Sequence, residues 1–243
     1  MYYIEVLRTT RVYWRYLIVA GILYLIAGFF IAIFPHGGPG DTTRYSAGGH
    51  AAGVAFICLI FASIAGSSLS RHLDHLDFAL TKPRDRTAFA ADIFGVDLIG
   101  LTVFFFTTAL IVFVFHVGLG EDHPLAFDTA SWYGIVLSFG AVLAWYAIVQ
   151  AISCDREAAG WALAVVWGTA IGLYIFGAFN LGPGLNVLIT TLNFINPLAY
   201  LRTIPFEATT GATVSLVVHT FTIYLVAAAA GLVALIRWQR MEI

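Results

Sequence analysis

Six long apolar segments, at 16–34, 51–69, 93–118, 132–152, 160–179 and 213–236, take up more than half of this 243-residue chain. A helix needs roughly 20 mostly apolar residues to cross a hydrocarbon core of about 30 Å, and each segment is near that length. The rest of the composition agrees, with 60% hydrophobic residues, 11% charged residues and a mean hydropathy of +0.88. Soluble proteins carry about 25% charged residues, and a soluble core of the present make-up would leave too little polar surface to cover it. Backbone groups in lipid must be satisfied by a helix or by a closed barrel. Continuous apolar runs, in place of period-two alternation, select helices. The expected fold is all-α: one polytopic membrane domain over 1–243 with six transmembrane helices.

The charges predict an orientation, because Lys and Arg in short loops concentrate on the cytoplasmic side. Arg8, Arg11 and Arg15 precede the first segment; Arg71, Lys82, Arg84 and Arg86 lie between the second and third; Arg156 lies between the fourth and fifth; Arg237 and Arg240 follow the sixth. Ten of the twelve basic residues thus fall on one side, with Arg44 and Arg202 opposite. Both termini are expected to be cytoplasmic, in an inner or plasma membrane. The opposite loops carry Asp41, or Glu121, Asp122 and Asp128. A cleaved signal peptide is not expected, since the first run exceeds the usual apolar region and lacks a small-x-small site. Cys58 lies within a span and Cys154 at a cytoplasmic helix end, so a disulfide is not expected.

Three regions lie outside the spans. In 1–15, Glu5, Arg8, Arg11 and Arg15 recur at steps of three and four, which predicts an interfacial amphipathic helix, either an anchor or a docking element. Residues 70–87 (SRHLDHLDFALTKPRDRT) predict a short helix with Leu69, Leu73, Leu76 and Leu80 on one side, ended at Pro83. Asp85 or Thr87 can cap the helix that follows. This stretch is either a partner-docking element or a loop that fixes topology. His72 and His75 share that helix, but with no third strong ligand at helical spacing a metal site is not expected. Residues 181–212 predict two short helices at the outer surface, one with Leu185, Leu188, Ile189, Leu192 and Ile195 on one face, broken at Asn196-Pro197. A lid over an exit path and a structural plug both fit.

Ionisable residues within spans are few. Asp92 and Asp97 fall in the first turn or two of the third span, where a carboxylate suits a helix N-terminus. His116 and His219 read as hydrogen-bonded histidines. Nothing resembles an ion filter or a relay of carboxylates. Gly160, Ala164, Gly168 and Gly172 form a ridge of small residues on the fifth span, and Ala62, Gly66 and Ser70 a shorter one on the second. Either ridge can serve as a dimer seam or as packing within one chain. The phosphate-loop pattern, G-x-S-x-G and H-E-x-x-H are all absent, so the chain has no evident engine or catalytic site of those types. A nucleic-acid partner is not expected.

The chain as a whole resembles the type-2 ABC transporter permeases, the six-span membrane subunits of many prokaryotic exporters. The resemblance rests on the amphipathic stretch 1–15, the cytoplasmic stretch 76–92 (LDFALTKPRDRTAFAAD), Asn196-Pro197-Leu198, and the basic tail 237–243 (RWQRMEI). Within the cytoplasmic stretch, Leu80, Lys82, Pro83 and Arg86 fit the family's Leu-x-Lys/Arg-Pro run with a following Arg, while Asp92 departs from it. The resemblance implies that Asp74, Asp77, Phe78, Leu80, Lys82, Pro83, Arg84 and Arg86 couple the chain to a separate ATP-binding subunit. ATP and magnesium would be bound by that partner, so hydrolysis is not expected of this chain. It further implies a second permease chain, identical or not, with the substrate path between the two, and small outer helices over 184–207 capping the exit. Family substrates range from drugs and peptides to lipids and polysaccharides. The rivals are a non-transporting anchor or sensor in a larger complex, and an intramembrane enzyme.

Overall fold

The computed structural model describes Arg15, Ile18, Ile22 and residues 46–71, 86–118, 125, 127–153, 159–177, 179 and 181–240. Its described elements are all α-helices: α1 (Ala47–Arg71), α2 (Arg86–Gly118), α3 (Thr129–Ile152), α4 (Ala159–Phe176), α5 (Pro183–Asn193), α6 (Pro197–Thr210) and α7 (Thr213–Arg240). Among the described residues, four stretches are long and apolar enough to cross a membrane: Ala47–Ser67, Ala90–Val114, Thr129–Ile152 and Thr213–Gln239. The chain is a multi-pass membrane protein. The expected first segment lies outside the described residues apart from Ile18 and Ile22, which are helical and exposed. The expected fifth is α4, whose 18 residues reach about 27 Å at 1.5 Å per residue, a little short of a hydrocarbon core. The expected two short helices are α5 and α6, which meet at 93° and would make a fifth span only if counted as one.

Side chains set the helix starts. Ser46 Oγ accepts from the backbone N–H of Gly49 at 3.0 Å ahead of α1, and Asp128 Oδ1 accepts from Ser131 N–H at 2.8 Å as the cap of α3. Each supplies a partner to one of the first-turn N–H groups that a helix leaves open. Asn196 caps α6 with Pro197 in the first turn, where the missing N–H is not needed. Gly211 ends α6 at φ 71°, a left-handed conformation that glycine adopts without a Cβ clash.

Helix α3 is the centre of the bundle. Leu137, Ala141, Val142, Ala144, Trp145 and Val149 are buried along it, and α1, α6 and α7 pack around it. Lipid offers no hydrophobic drive for helix association, so close packing and hydrogen bonds must hold the bundle. Glycines allow the closest approaches: Gly66 on α1 lies against Val149 and the Tyr146 carbonyl, Gly140 on α3 lies under Ile223 and Tyr224 of α7, and Gly48 and Gly134 put α1 and α3 backbone to backbone. The outward side of α2 carries Ile99, Val103, Phe106, Leu110 and Val114 at steps of three and four, all exposed. The outer side of α7 is similar, with Val214, Val218, Phe221, Leu225 and Leu232. Such continuous apolar surface suits lipid or another membrane chain.

One hydroxyl ties three helices. Ser63 Oγ donates to the Leu59 carbonyl at 2.8 Å and accepts from Trp145 Nε1 at 2.7 Å and Trp167 Nε1 at 3.0 Å. Its single donor and both acceptor positions are used. The two indoles also meet edge to face at 4.6 Å between centroids. Ser63→Ala strands both indole N–H groups, one fully buried and one half-buried. It is expected to cost about 2–4 kcal/mol, since each unsatisfied buried donor costs about 1–3 kcal/mol. Thermal unfolding in mild detergent checks this, and an unchanged Tm would refute the three-helix tie.

The two ends of the bundle differ. Arg71, Arg86, Arg237 and Arg240 lie at helix ends on one side, where Arg237 Nη1 donates to the Ala151 carbonyl at 2.7 Å. That contact puts a cation on the last turn of α3, where it opposes the helix dipole. On the same side, Ser153 Oγ shares its one hydrogen between the Val149 carbonyl and, at 3.4 Å, the Gly66 carbonyl of α1, a weak link from the end of α3 to α1. The other end carries the α5–α6 hairpin.

Candidate functional site

The hairpin end holds a pocket of about 350 Å³ lined by residues of α4, α5, α6 and α7. Polar contacts fix the corner of the hairpin. Asn196 is buried, and its Nδ2 donates to the Ala170 carbonyl of α4 at 3.0 Å and to Asn193 Oδ1 at 3.1 Å, while its Oδ1 accepts from Leu198 N–H at 3.2 Å. The amide orientation follows from those partners, a carbonyl on one side and an N–H on the other. Tyr200 donates its hydroxyl to the Phe194 carbonyl at 2.8 Å, and Asn193 Nδ2 reaches the Leu173 carbonyl at 3.4 Å. Helix α6 inserts Leu198, Leu201, Ile204 and Ala208 into the bundle, whereas no residue of α5 is buried. Its periodic face of Leu185, Leu188 and Leu192 therefore has no cover within the described chain.

Arg202 borders the pocket on α6. Its guanidinium sits 5.7 Å from the centroid of the Tyr174 ring, and Nη1 reaches the Tyr174 carbonyl at 3.5 Å. Across the pocket, His219 on α7 packs edge to face with Tyr200 at 5.4 Å. Glu207 engages two groups on α7: Oε1 accepts from Ser215 Oγ at 2.7 Å and Oε2 lies 3.2 Å from His219 Nδ1. A carboxylate only accepts, so Nδ1 carries the proton and Nε2 is left for another partner. Ser215 donates to Glu207 and not to His219, so the three groups do not line up as a Ser–His–carboxylate relay, and the carboxylate holds the His219 ring at the pocket wall.

A second polar group is buried near the opposite end. Tyr146 donates its hydroxyl to Asp97 Oδ2 at 2.7 Å and receives Gln150 Nε2 at 3.1 Å, joining α2 to α3. Asp97 lies about two turns into the third span, which begins at Ala90, as expected; its expected place at a helix N-terminus within reach of the interface is corrected. Helix α2 starts at Arg86, so Asp97 lies about 17 Å along it at 1.5 Å per residue, and it is 2% exposed. Its carboxylate meets a phenol and not the interface. Tyr146 and Gln150 stand four apart on one face of α3, a spacing that brings polar partners together on a helix.

Of the residues expected to couple to an ATPase, Asp74, Asp77, Phe78, Leu80, Lys82, Pro83 and Arg84 lie outside the described residues, as do Arg8, Arg11, His72 and His75. Arg86 is the first residue of α2, and Arg15 is helical and exposed. The two small-residue ridges separate. Gly66 is packed inside the chain, but a Cβ on Gly168 or Gly172 would meet nothing within 4 Å among the described residues; Gly160 lies in the first turn of the same helix, α4. Among the described residues no three His, Cys, Asp or Glu side chains gather in a metal-binding group. In comparison with known proteins, no family model matches the chain, and neither a curated protein nor a solved structure does.

Proposed function

We propose that this chain is the membrane-spanning permease subunit of an ATP-driven ABC exporter, working with a second permease chain and a separate ATP-binding subunit. The observation that carries the reading is the α5–α6 hairpin, bent by 93° and seated over a largely apolar pocket edged by Arg202, Asn193 and His219, at the end of the bundle away from the arginine-bearing helix ends. In this reading 16–34 and α4 complete six spans, and the arginine-bearing end faces the cytoplasm, as the charge bias of short loops requires. Residues 72–85 then join α1 to α2 on the cytoplasmic side and dock the ATPase, while the hairpin caps the exit. The open Gly168 and Gly172 face of α4 allows close approach of the second permease.

The test is to purify the tagged chain from its native host in mild detergent and to identify its stoichiometric partners by mass spectrometry. An ATPase with a phosphate-binding loop is expected, and Leu80→Ala with Arg84→Ala is expected to release it by tenfold or more without loss of membrane insertion. Recovery with membrane partners alone would sink the export reading and favour an anchor or sensor.

A further inference from the structure

The pocket beneath the hairpin combines an open cation with apolar surroundings, and that combination suits one chemical class. Arg202 is the only arginine at this end among the described helices. Its one hydrogen bond is long, at 3.5 Å, which leaves most of the guanidinium's five N–H donors open. The carboxylate on its own helix, Glu207, is already engaged by Ser215 and His219, and no described carboxylate pairs with Arg202. The Tyr174 face holds the guanidinium plane in place without neutralising it. On the facing α5 wall, the Thr190 hydroxyl has no partner among the described residues, while the Asn193 amide is taken up by the Leu173 carbonyl and Asn196. The pocket wall is largely apolar; Phe194, one of its lining residues, is half-exposed, and Phe206, one turn on from Arg202 along α6, is exposed. A planar guanidinium is suited to bidentate bonds with phosphate or carboxylate. The apolar flank gives an attached aliphatic chain a surface to lie on.

We propose that this pocket is a binding site for the anionic headgroup of an amphiphile, a phosphate or carboxylate carried on an aliphatic tail, with Arg202 as its charge partner and Thr190 as a donor from the facing wall. The site stands apart from the export reading: capture of an ATPase neither requires it nor follows from it. A membrane phospholipid and a free phosphate share the head chemistry, and the probes separate them.

The experiment measures binding to the full chain in mild detergent by native mass spectrometry, with phosphatidylglycerol, phosphatidylcholine and inorganic phosphate as probes. Phosphatidylglycerol is expected to bind at least tenfold more tightly than phosphatidylcholine. Arg202→Gln is expected to remove that preference, while Arg240→Gln, the same charge change at the other end, leaves it intact. Phosphate binding comparable to that of the lipid, with the same dependence on Arg202, assigns the site to a free anion; phosphate much weaker than the lipid assigns it to the amphiphile and shows that the tail contributes. Thr190→Val, an exposed change, is expected to weaken the lipid about threefold and supplies the reading if Arg202→Gln does not fold. Equal binding of the two lipids, or a preference unchanged in whichever of these variants folds, would overturn the proposal.

Discussion

Gly134→Leu is expected to leave no folded chain in detergent, and Gly134→Ala to lower Tm more than any other single added methyl group in the bundle. A Cβ at Gly134 would stand 2.9 Å from Gly48 Cα and 3.3 Å from Ile204 Cγ2. The reverse holds as well: a Cβ at Gly48 would stand 3.0 Å from the Ser131 carbonyl oxygen and 3.2 Å from both Gly134 Cα and Ala208 Cβ. These neighbours include backbone atoms of two buried helices, so no rotamer change relieves the overlap. The helices must separate, and overpacking of this kind costs about 1–3 kcal/mol or more for small additions. Gly140 provides the contrast. Its added Cβ would come nearer still, 2.7 Å from Tyr224 Cε2 and 2.8 Å from Ile223 Cγ2, but both are side-chain atoms. The Tyr224 ring is partly exposed and held by one bond to the Val136 carbonyl at 3.2 Å, so it can swing aside. Replacing glycine by alanine within a helix also gains about 1 kcal/mol of propensity. Ile223 is fully buried and its Cγ2 is fixed to a branched Cβ, so only the Tyr224 half of the clash is relieved cheaply, and Gly140→Ala is expected to lower Tm by less than Gly134→Ala although its nominal clash is the worse of the two. A thermal shift series on the two alanine variants decides the matter, and equal losses would mean that the α1–α3 contact is not rigid.

The four spans among the described residues were legible because lipid makes a strong demand on composition: about twenty apolar residues in a row have few other uses. The first turns were less so. Helix α1 begins at Ala47 and α3 at Thr129, a few residues before the apolar runs, because hydrogen bonds to Ser46 and Asp128 set the starts and hydropathy does not register them. The same cause misplaced Asp97, since the polar residues 86–92 belong to the helix and not to the loop before it. Asn196-Pro197 was readable as a break, because an Asn cap followed by Pro in the first turn is a local signal. The occupants of faces were not readable. Small-residue spacing on α4 drew notice to Gly168 and Gly172, which have no close neighbour among the described residues, while the tight seam is Gly48 with Gly134. Spacing along one helix shows that a face is smooth, and only the partner helix shows that it is used. The pocket has the same character: Tyr174, Arg202 and His219 are brought together by three helices, and no interval in the sequence connects them.

Asn196→Asp is expected to detach α5 while α6 and the rest of the bundle stay folded, and to do more harm than Asn196→Ala. The asparagine amide has a different task on each side. Its oxygen accepts from Leu198 N–H, which a carboxylate still does. Its Nδ2 donates to the Ala170 carbonyl and to Asn193 Oδ1, and a carboxylate turns lone pairs toward both acceptors. A buried charge left without a partner costs about 3–5 kcal/mol. Asn196→Ala removes the cap and the two donated bonds without adding repulsion, for a cost of about 2 kcal/mol. Asn196→Ser keeps an acceptor for Leu198 N–H and should be the mildest of the three. The loss should be local because α5 buries nothing in the chain and is tied down by these bonds, by Tyr200 to Phe194 and by the weak contact of Asn193 with Leu173. Helix α6 is different, with Ile204 and Ala208 seated in the core beside Gly48 and Gly134. Chymotrypsin cleavage at Phe194, compared with thermal unfolding of the whole chain, separates the two responses. Rapid cleavage at Phe194 with a Tm lowered only slightly fits a hairpin hinged on α6 and held by one amide. A collapse of Tm in step with cleavage would instead make Asn196 part of the bundle's own core and leave the hairpin no freedom of its own.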